Sequence, residues 1–271
     1  MKTQFRIPGL TVFESALFRT TSTVVETPDL VLVVDPNWLP QEVQFIQHYV
    51  AAIRQNRPLY LLFTHSDYDH ILGYGAFPEA KTIASRTFVQ NPDKAAILEQ
   101  IQQFDADYYL KRDYEIVYPE IDFTIEKDQD TLTFGTTQLT FHLAPGHNAD
   151  GLITLVEPLG LCLAGDYLSN VEFPYIYHSS LDYKATLAKA EKIINTHQAR
   201  YLVPGHGDVT TSTTDMQTRL QESRDYITQL RASVQGRQAF DENALWQRYE
   251  FRLGMQAFHE KNKALLHKER H

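Results

Sequence analysis

The sequence predicts an α/β fold, on three observations. Short apolar runs bounded by turn residues recur from Leu10 to Val203, the signature of strands. Segments with apolar residues at helical spacing alternate with them, as in Val43, Phe45, Ile46, Tyr49, Val50 and Ile53. Four of the apolar runs end in a turn that carries His or Asp, and ligands collect at the carboxyl ends of strands in open α/β sheets.

Taken in order, residues 9–35 read as a β meander. Its strands are Leu10–Phe13, Ser22–Glu26 and Leu30–Val34, the last ending at Asp35-Pro36. Pro40–Arg57 is expected to cross as a helix to the buried run Leu59–Phe63, with His48 on its surface. Gly73 and Gly75 mark a close backbone approach or a helix start. Ala80–Ala84 reads as a strand and Asn91–Gln103 as a helix. Residues 104–122, dense in Tyr, Asp and Glu, read either as a solvated insertion or as an aromatic wall of a pocket. Strands Thr131–Phe134 and Leu139–Leu143 flank a turn at Gly135, and His142 packs within the second or lies on its surface. Leu152–Val156 and Leu159–Ala164 form a hairpin that buries the Cys162 thiol. A helix over Leu181–Ile194 leads to the strand Tyr201–Val203, and two helices, Thr214–Val234 and Glu242–Leu266, follow.

Composition narrows the function. The 271 residues are 43% hydrophobic, enough for one large core. A formal net charge of −9 and the lack of a basic stripe argue against a nucleic-acid partner. The segment Met1–Leu10 has neither a signal-peptide core nor a membrane-spanning run, and Cys162 is the sole cysteine. A cytoplasmic protein that does not engage a membrane is the expectation.

The chemistry concentrates in Thr64-His65-Ser66-Asp67-Tyr68-Asp69-His70, directly after the run Leu59–Phe63. Two imidazoles and two carboxylates in six residues are costly to bury without a cation. As polar loop and cap residues alone they would be ordinary. Three further strand-end turns bring similar groups: Pro145-Gly146-His147, Ala164-Gly165-Asp166 and Pro204-Gly205-His206-Gly207.

In order and spacing these elements resemble the metallo-β-lactamase superfamily of binuclear metallohydrolases, whose signature runs Thr-His-X-His-X-Asp-His, Gly-His, Gly-Asp, Gly-His. The resemblance spans about residues 10 to 210. It implies an αββα sandwich over residues 1–210, with residues 211–271 a helical extension packed on the same domain. It also implies that His65, Asp67 and His147 bind one divalent metal ion, that Asp69, His70 and His206 bind a second, and that Asp166 bridges them. Asp69 would further act as a catalytic group that manages protons.

The departure is Asp67, where the family usually has His. Zinc is the first expectation for the two ions. A carboxylate here makes manganese or iron alternatives and can weaken the first site until one ion binds tightly. Flavodiiron proteins of the same superfamily have Glu at this position and two irons. The resemblance implies a hydrolase acting on a small-molecule ester, thioester or lactone. The alternatives are a non-haem iron redox enzyme, of sulfur dioxygenase or diiron type, and a small-molecule phosphodiesterase. A metal-dependent binding module is a further one. The loop after Asp166 supplies candidate substrate contacts in Tyr167, Asn170, Tyr175 and His178, with a tyrosine hydroxyl as an oxyanion donor. His259 either reaches over the pocket or lies on the surface, and the C-terminal helices roof the site or pair two chains in a homodimer.

Overall fold

Alternate residues of the central strands are buried on opposite sides, and that alternation sets the layers. The computed structural model describes residues 1–196 and 199–269. Its strands are β1 (Lys2–Ile7), β2 (Leu10–Glu14), β3 (Thr21–Glu26), β4 (Val31–Val34), β5 (Leu59–Leu62), β6 (Lys81–Ser85), β7 (Phe123–Ile125), β8 (Asp130–Phe134), β9 (Thr137–Leu143), β10 (Leu152–Glu157), β11 (Leu161–Leu163) and β12 (Tyr201–Val203). Strands β1 to β7 form one sheet in sequence order, and a second sheet has the order β12-β11-β10-β9-β8. Leu32, Val34, Tyr60 and Leu62 point from the first sheet to Phe141, Leu152, Leu161 and Leu163 of the second. Their neighbours Val31, Val33, Leu59 and Leu61 point the other way, toward helices. Both faces of each sheet are therefore buried, which gives αββα layering.

The outer layer on the first sheet contains α1 (Pro40–Arg54), the short α2 (Tyr68–Ile71) and α3 (Arg86–Val89), and α4 (Lys94–Asp107). Helix α1 starts at Pro40, and its buried Glu42 accepts from Ser15 Oγ at 2.8 Å, Ala16 N at 3.0 Å and Leu39 N at 3.1 Å. These donors satisfy a carboxylate that would otherwise be costly to bury. On the second sheet lie α5 (Ser180–Thr196), α6 (Thr213–Val234), α7 (Glu242–Arg248) and α8 (Arg252–Lys268), around Ile153, Leu155, Cys162 and Leu202. Among the described residues no helix is long and apolar enough to cross a membrane.

Several sequence expectations need correction. Strand β1 went unread because only Phe5 and Ile7 of it pack against the core. The helix expected over Glu242–Leu266 is two helices, because Tyr249 leaves the helical region at φ −107° and ψ 134°. That break lets Trp246, Tyr249 and His259 all pack around Phe173. Residues 108–122 form an irregular segment in which Tyr114, Ile116, Tyr118 and Ile121 cover the outer core and Tyr108 and Tyr109 are exposed. Gly73 is a close approach: a Cβ there would lie 2.2 Å from the Pro36 carbonyl oxygen.

Candidate metal centre

Four strand ends meet at one edge of the sandwich. Strand β5 delivers Thr64 and His65, Asp67 stands at the N-cap of α2, and α2 itself adds Asp69 and His70. Strands β9, β11 and β12 run in the same direction, since β9 and β11 are both antiparallel to β10 and β11 is parallel to β12. Their carboxyl ends bring His147, Asp166 and His206 to that edge. Backbone bonds fasten the turns to one another: Leu152 N donates to Thr64 O at 2.8 Å, Gly205 N to Gly165 O at 2.6 Å and Thr21 N to Gly205 O at 2.7 Å. Position 205 accepts only glycine, because a Cβ there would lie 2.1 Å from Asp166 Oδ1.

Each imidazole is held by its Nδ1. His70 Nδ1 lies 2.9 Å from Asp35 Oδ2, His147 Nδ1 2.8 Å from Tyr175 O, and His206 Nδ1 3.0 Å from Phe18 O. Thr64 gives its hydroxyl proton to Asp35 Oδ2 at 2.5 Å, so at 3.0 Å it accepts from His65 Nδ1. All four Nε2 atoms then face a common centre. Asp166 stands in the middle, its Oδ2 3.3 to 3.7 Å from Nε2 of His206, His147 and His65 and its Oδ1 3.2 Å from His70 Nε2. Asp67 Oδ2 lies 3.1 Å from His147 Nε2 and 3.6 Å from His65 Nε2. Asp69 Oδ2 lies 3.5 Å from Nε2 of both His70 and His206.

The site fits divalent cations. Its ligand-type atoms form two groups, His65, Asp67, His147 and Asp166, and Asp69, His70 and His206, each with those atoms within 4.8 Å of one another. His65 Nε2, His70 Nε2 and Asp166 Oδ1 are buried with no hydrogen-bond partner, an arrangement that coordination would resolve. Burial opposes charge on His147 and His206, but Asp67 and Asp166 beside the first push it up to about 9, and Asp166 and Glu172 near the second push it up to about 10. Burial likewise opposes charge on Asp67 and Asp166, yet the neighbouring imidazoles hold both well below the usual carboxylate range. Burial raises Asp69 above it.

The superfamily model that describes metallo-beta-lactamases matches residues 16–206, a span that contains all of these side chains. The chain belongs to the metallo-beta-lactamase superfamily. It is similar in structure to a metallo-beta-lactamase family protein from Thermus thermophilus, at 20% identity and a TM-score of 0.61 over 84% of this chain and 82% of that one. A sec-alkylsulfatase from Pseudomonas sp. aligns over 98% of this chain and 49% of its own, at 12% identity and a TM-score of 0.70. The HARLDQ-motif metallo-beta-lactamase of Cronobacter sakazakii aligns over 83% and 92%, at 18% identity and a TM-score of 0.58. These likenesses show the fold. No curated protein matches the chain.

Around the superfamily motif, the residues nominated as substrate contacts fare differently. Tyr167 is buried, its hydroxyl donating to Ala144 O at 2.9 Å and accepting from His147 N at 3.0 Å, so it braces the His147 turn and has no proton for a substrate. Asn170 is likewise committed, to the side chain and backbone of Asp208 at 2.8 Å each. Tyr175 contributes its carbonyl to His147, while its ring stacks on Phe258 at 4.2 Å beside a small cavity next to Asp166 and His206. His178 is exposed at the rim of a larger cleft and faces Asp182 at 3.5 Å. His259 is fully buried, with Tyr226 Oη 3.0 Å from its Nδ1, and neither reaches over the centre nor lies on the surface. A third group of ligand type, His259 with Glu242 and Glu260, already contains a cation, since Lys263 bonds both glutamates.

Four further neighbours of the site have no role of their own in the sequence reading, though Glu172 and Tyr177 belong to the loop after Asp166 that it sets beside the centre. They are Asp35, Asn148, Tyr177, whose ring centroid is 5.0 Å from that of His147, and half-buried Glu172, pushed up to about 7 by burial near Asp166 and Asp69. The larger cleft, of about 670 Å³, opens beside Asp67 and Tyr177, with Asn91 and Gln100 on one side and Phe258 and Lys261 of α8 on the other. The residues that line it include none of 104–122.

Proposed function

We propose that this chain is a metal-dependent hydrolase that takes two divalent cations, zinc first, and cleaves an ester, thioester or lactone of a small molecule. The observation that carries the reading is the convergence of four Nδ1-anchored imidazoles on Asp166, with Asp67 and Asp69 completing two ligand groups. In this reading His65, Asp67 and His147 hold one cation, Asp69, His70 and His206 the other, and Asp166 serves both. Bound there, the cations supply an acidified water as nucleophile and polarise the scissile carbonyl.

The chain's own groups do the rest. Asp69, set at the centre beside His70 and His206, is suited to pass the proton given up by the attacking water to the leaving group. Asp67 is the most open ligand-type residue, its side chain 27% exposed against 12% for Asp69 and 10% for Asp166. Substrate therefore approaches from the Asp67 side, where the cleft of about 670 Å³ has the size of a small-molecule pocket. Tyr177 and Phe258 offer it aromatic surface, and Asn91, Gln100 and Lys261 offer polar contacts.

Metal content per chain, measured on protein purified without added metal, tests the reading together with a substrate panel. The panel comprises esters, thioesters and lactones, with phosphodiesters and, given the alkylsulfatase likeness, a secondary alkyl sulfate. Two zinc or manganese ions and carbonyl-ester turnover that vanishes in Asp69→Asn support it. Two irons with oxygen-dependent turnover and no ester cleavage would replace it with a redox function.

A further inference from the structure

We propose that Asn148 is a positioning residue that fixes Asp67 as a one-oxygen metal ligand, and that the pair compensates for the loss of imidazole at position 67. The inference rests on the reading of Asp67 as a ligand. Asn148 Nδ2 lies 2.6 Å from Asp67 Oδ1, while Asp67 Oδ2 faces His147 and His65. The two carboxylate oxygens are thus divided between two tasks. The amide must present its NH2 group, because its carbonyl oxygen at that distance would oppose another acceptor. Asn148 is itself fixed, for its backbone oxygen accepts from Gly146 N at 2.9 Å and closes the turn that carries His147. Consecutive residues of one turn therefore supply an imidazole and the clamp for the carboxylate beside it.

The need for a clamp follows from the residue type. An imidazole offers one inward nitrogen on a rigid ring, whereas a carboxylate can rotate, chelate with both oxygens or turn toward water. Asp67 lies at the open side of the site, where nothing but Asn148 bonds its Oδ1 among the described hydrogen bonds. Such partners of metal ligands typically alter affinity by about 10- to 100-fold.

Zinc(II) titration of chelator-stripped protein against a chromophoric chelator tests this in a double-mutant cycle. Asp67→Ala is expected to lose tight binding of one of two zinc ions. Asn148→Leu is expected to weaken the same ion by about 10- to 100-fold and leave the other unchanged. Adding Asn148→Leu to Asp67→Ala should cost nothing more. Wild-type affinity in Asn148→Leu, or an equal loss in the Asp67→Ala background, overturns the role of Asn148 and leaves Asp67 a ligand. Two tightly bound zinc ions in Asp67→Ala overturn the ligand reading, and the clamp with it. Asn148→Ala completes the same cycle should the leucine variant not fold.

Discussion

The two ligand groups lie side by side, with Asp166 of the His147 group also close to His70 and His206 of the other, but different parts of the molecule hold them. His70 and His206 lean on the sandwich: Asp35 at the end of β4 takes the Nδ1 of one, and the Phe18 carbonyl just before β3 takes the Nδ1 of the other. His147 instead leans on the carbonyl of Tyr175, in the irregular segment after Asp166. That segment is braced by α8, where Asn262 Oδ1 accepts from Ile176 N at 2.9 Å and Asn262 Nδ2 donates to Pro174 O at 2.7 Å. The His147 group shares the support of the sheets through His65, which reaches Asp35 by way of Thr64, but His147 itself depends on a loop and a C-terminal helix. That group also borders the cleft, so it is the one that a change of substrate or metal would adjust.

Substitutions can break or sharpen this contrast. Asp69→Asn has the largest expected effect, a loss of about 10²- to 10⁴-fold in turnover with an unchanged circular dichroism spectrum. Retained turnover would remove Asp69 from the chemistry. Next comes pH. In the metal-free protein His147 and His206 are raised from 6.5 to about 9 and about 10, so the stability they contribute is fully present below about 6.5 and is lost as pH rises through those values. The melting temperature of chelator-treated protein should therefore fall between pH 7 and 10. Zinc affinity in a buffered chelator should rise over the same range, by about tenfold per pH unit for each proton displaced. A flat affinity profile would mean that these imidazoles are not the ligands.

Asp35→Asn is expected to weaken both zinc ions by about 10- to 100-fold, because Asp35 anchors His70 directly and His65 through Thr64. By contrast, Asn262→Leu should weaken mainly the zinc on the His147 side and destabilise the fold by about 1–3 kcal/mol in urea denaturation. Equal weakening of both ions by Asn262→Leu would dissolve the contrast between the groups. The smallest effect belongs to Tyr167→Phe, which removes one hydroxyl between His147 N and Ala144 O and costs about 1 kcal/mol, with turnover nearly unchanged. A loss above about 10²-fold in turnover would restore its oxyanion role.

The layered fold and the seven clustered side chains were legible because their signals are local. An apolar run followed by Gly-His or Gly-Asp needs no partner to be recognised. What was missed depends on contacts across the chain. Asp35 looks like an ordinary Asp-Pro turn until β4 pairs with β5 and sets it against Thr64. Tyr175 acts through its carbonyl, which every residue has. Tyr167 follows Asp166 in sequence, but its hydroxyl is taken by Ala144 O and His147 N, 23 and 20 residues earlier in the chain. The break at Tyr249 accompanies the aromatic cluster around Phe173, a long-range contact that helical periodicity cannot reveal.

The seating of His206 also bears on how the chain assembles. Its Nδ1 is received by Phe18 and Thr20, 188 and 186 residues earlier, and Thr21 Oγ1 bonds the Pro204 carbonyl across 183. Closing so long a span is slow and entropically unfavourable in an unfolded chain. A cation gripped by Asp69, His70 and His206 would act as a cross-link over much of that span, stabilising the native state in proportion to its binding. Refolding in the presence of a chelator should then lag most in the step that joins β12 to the strands made first.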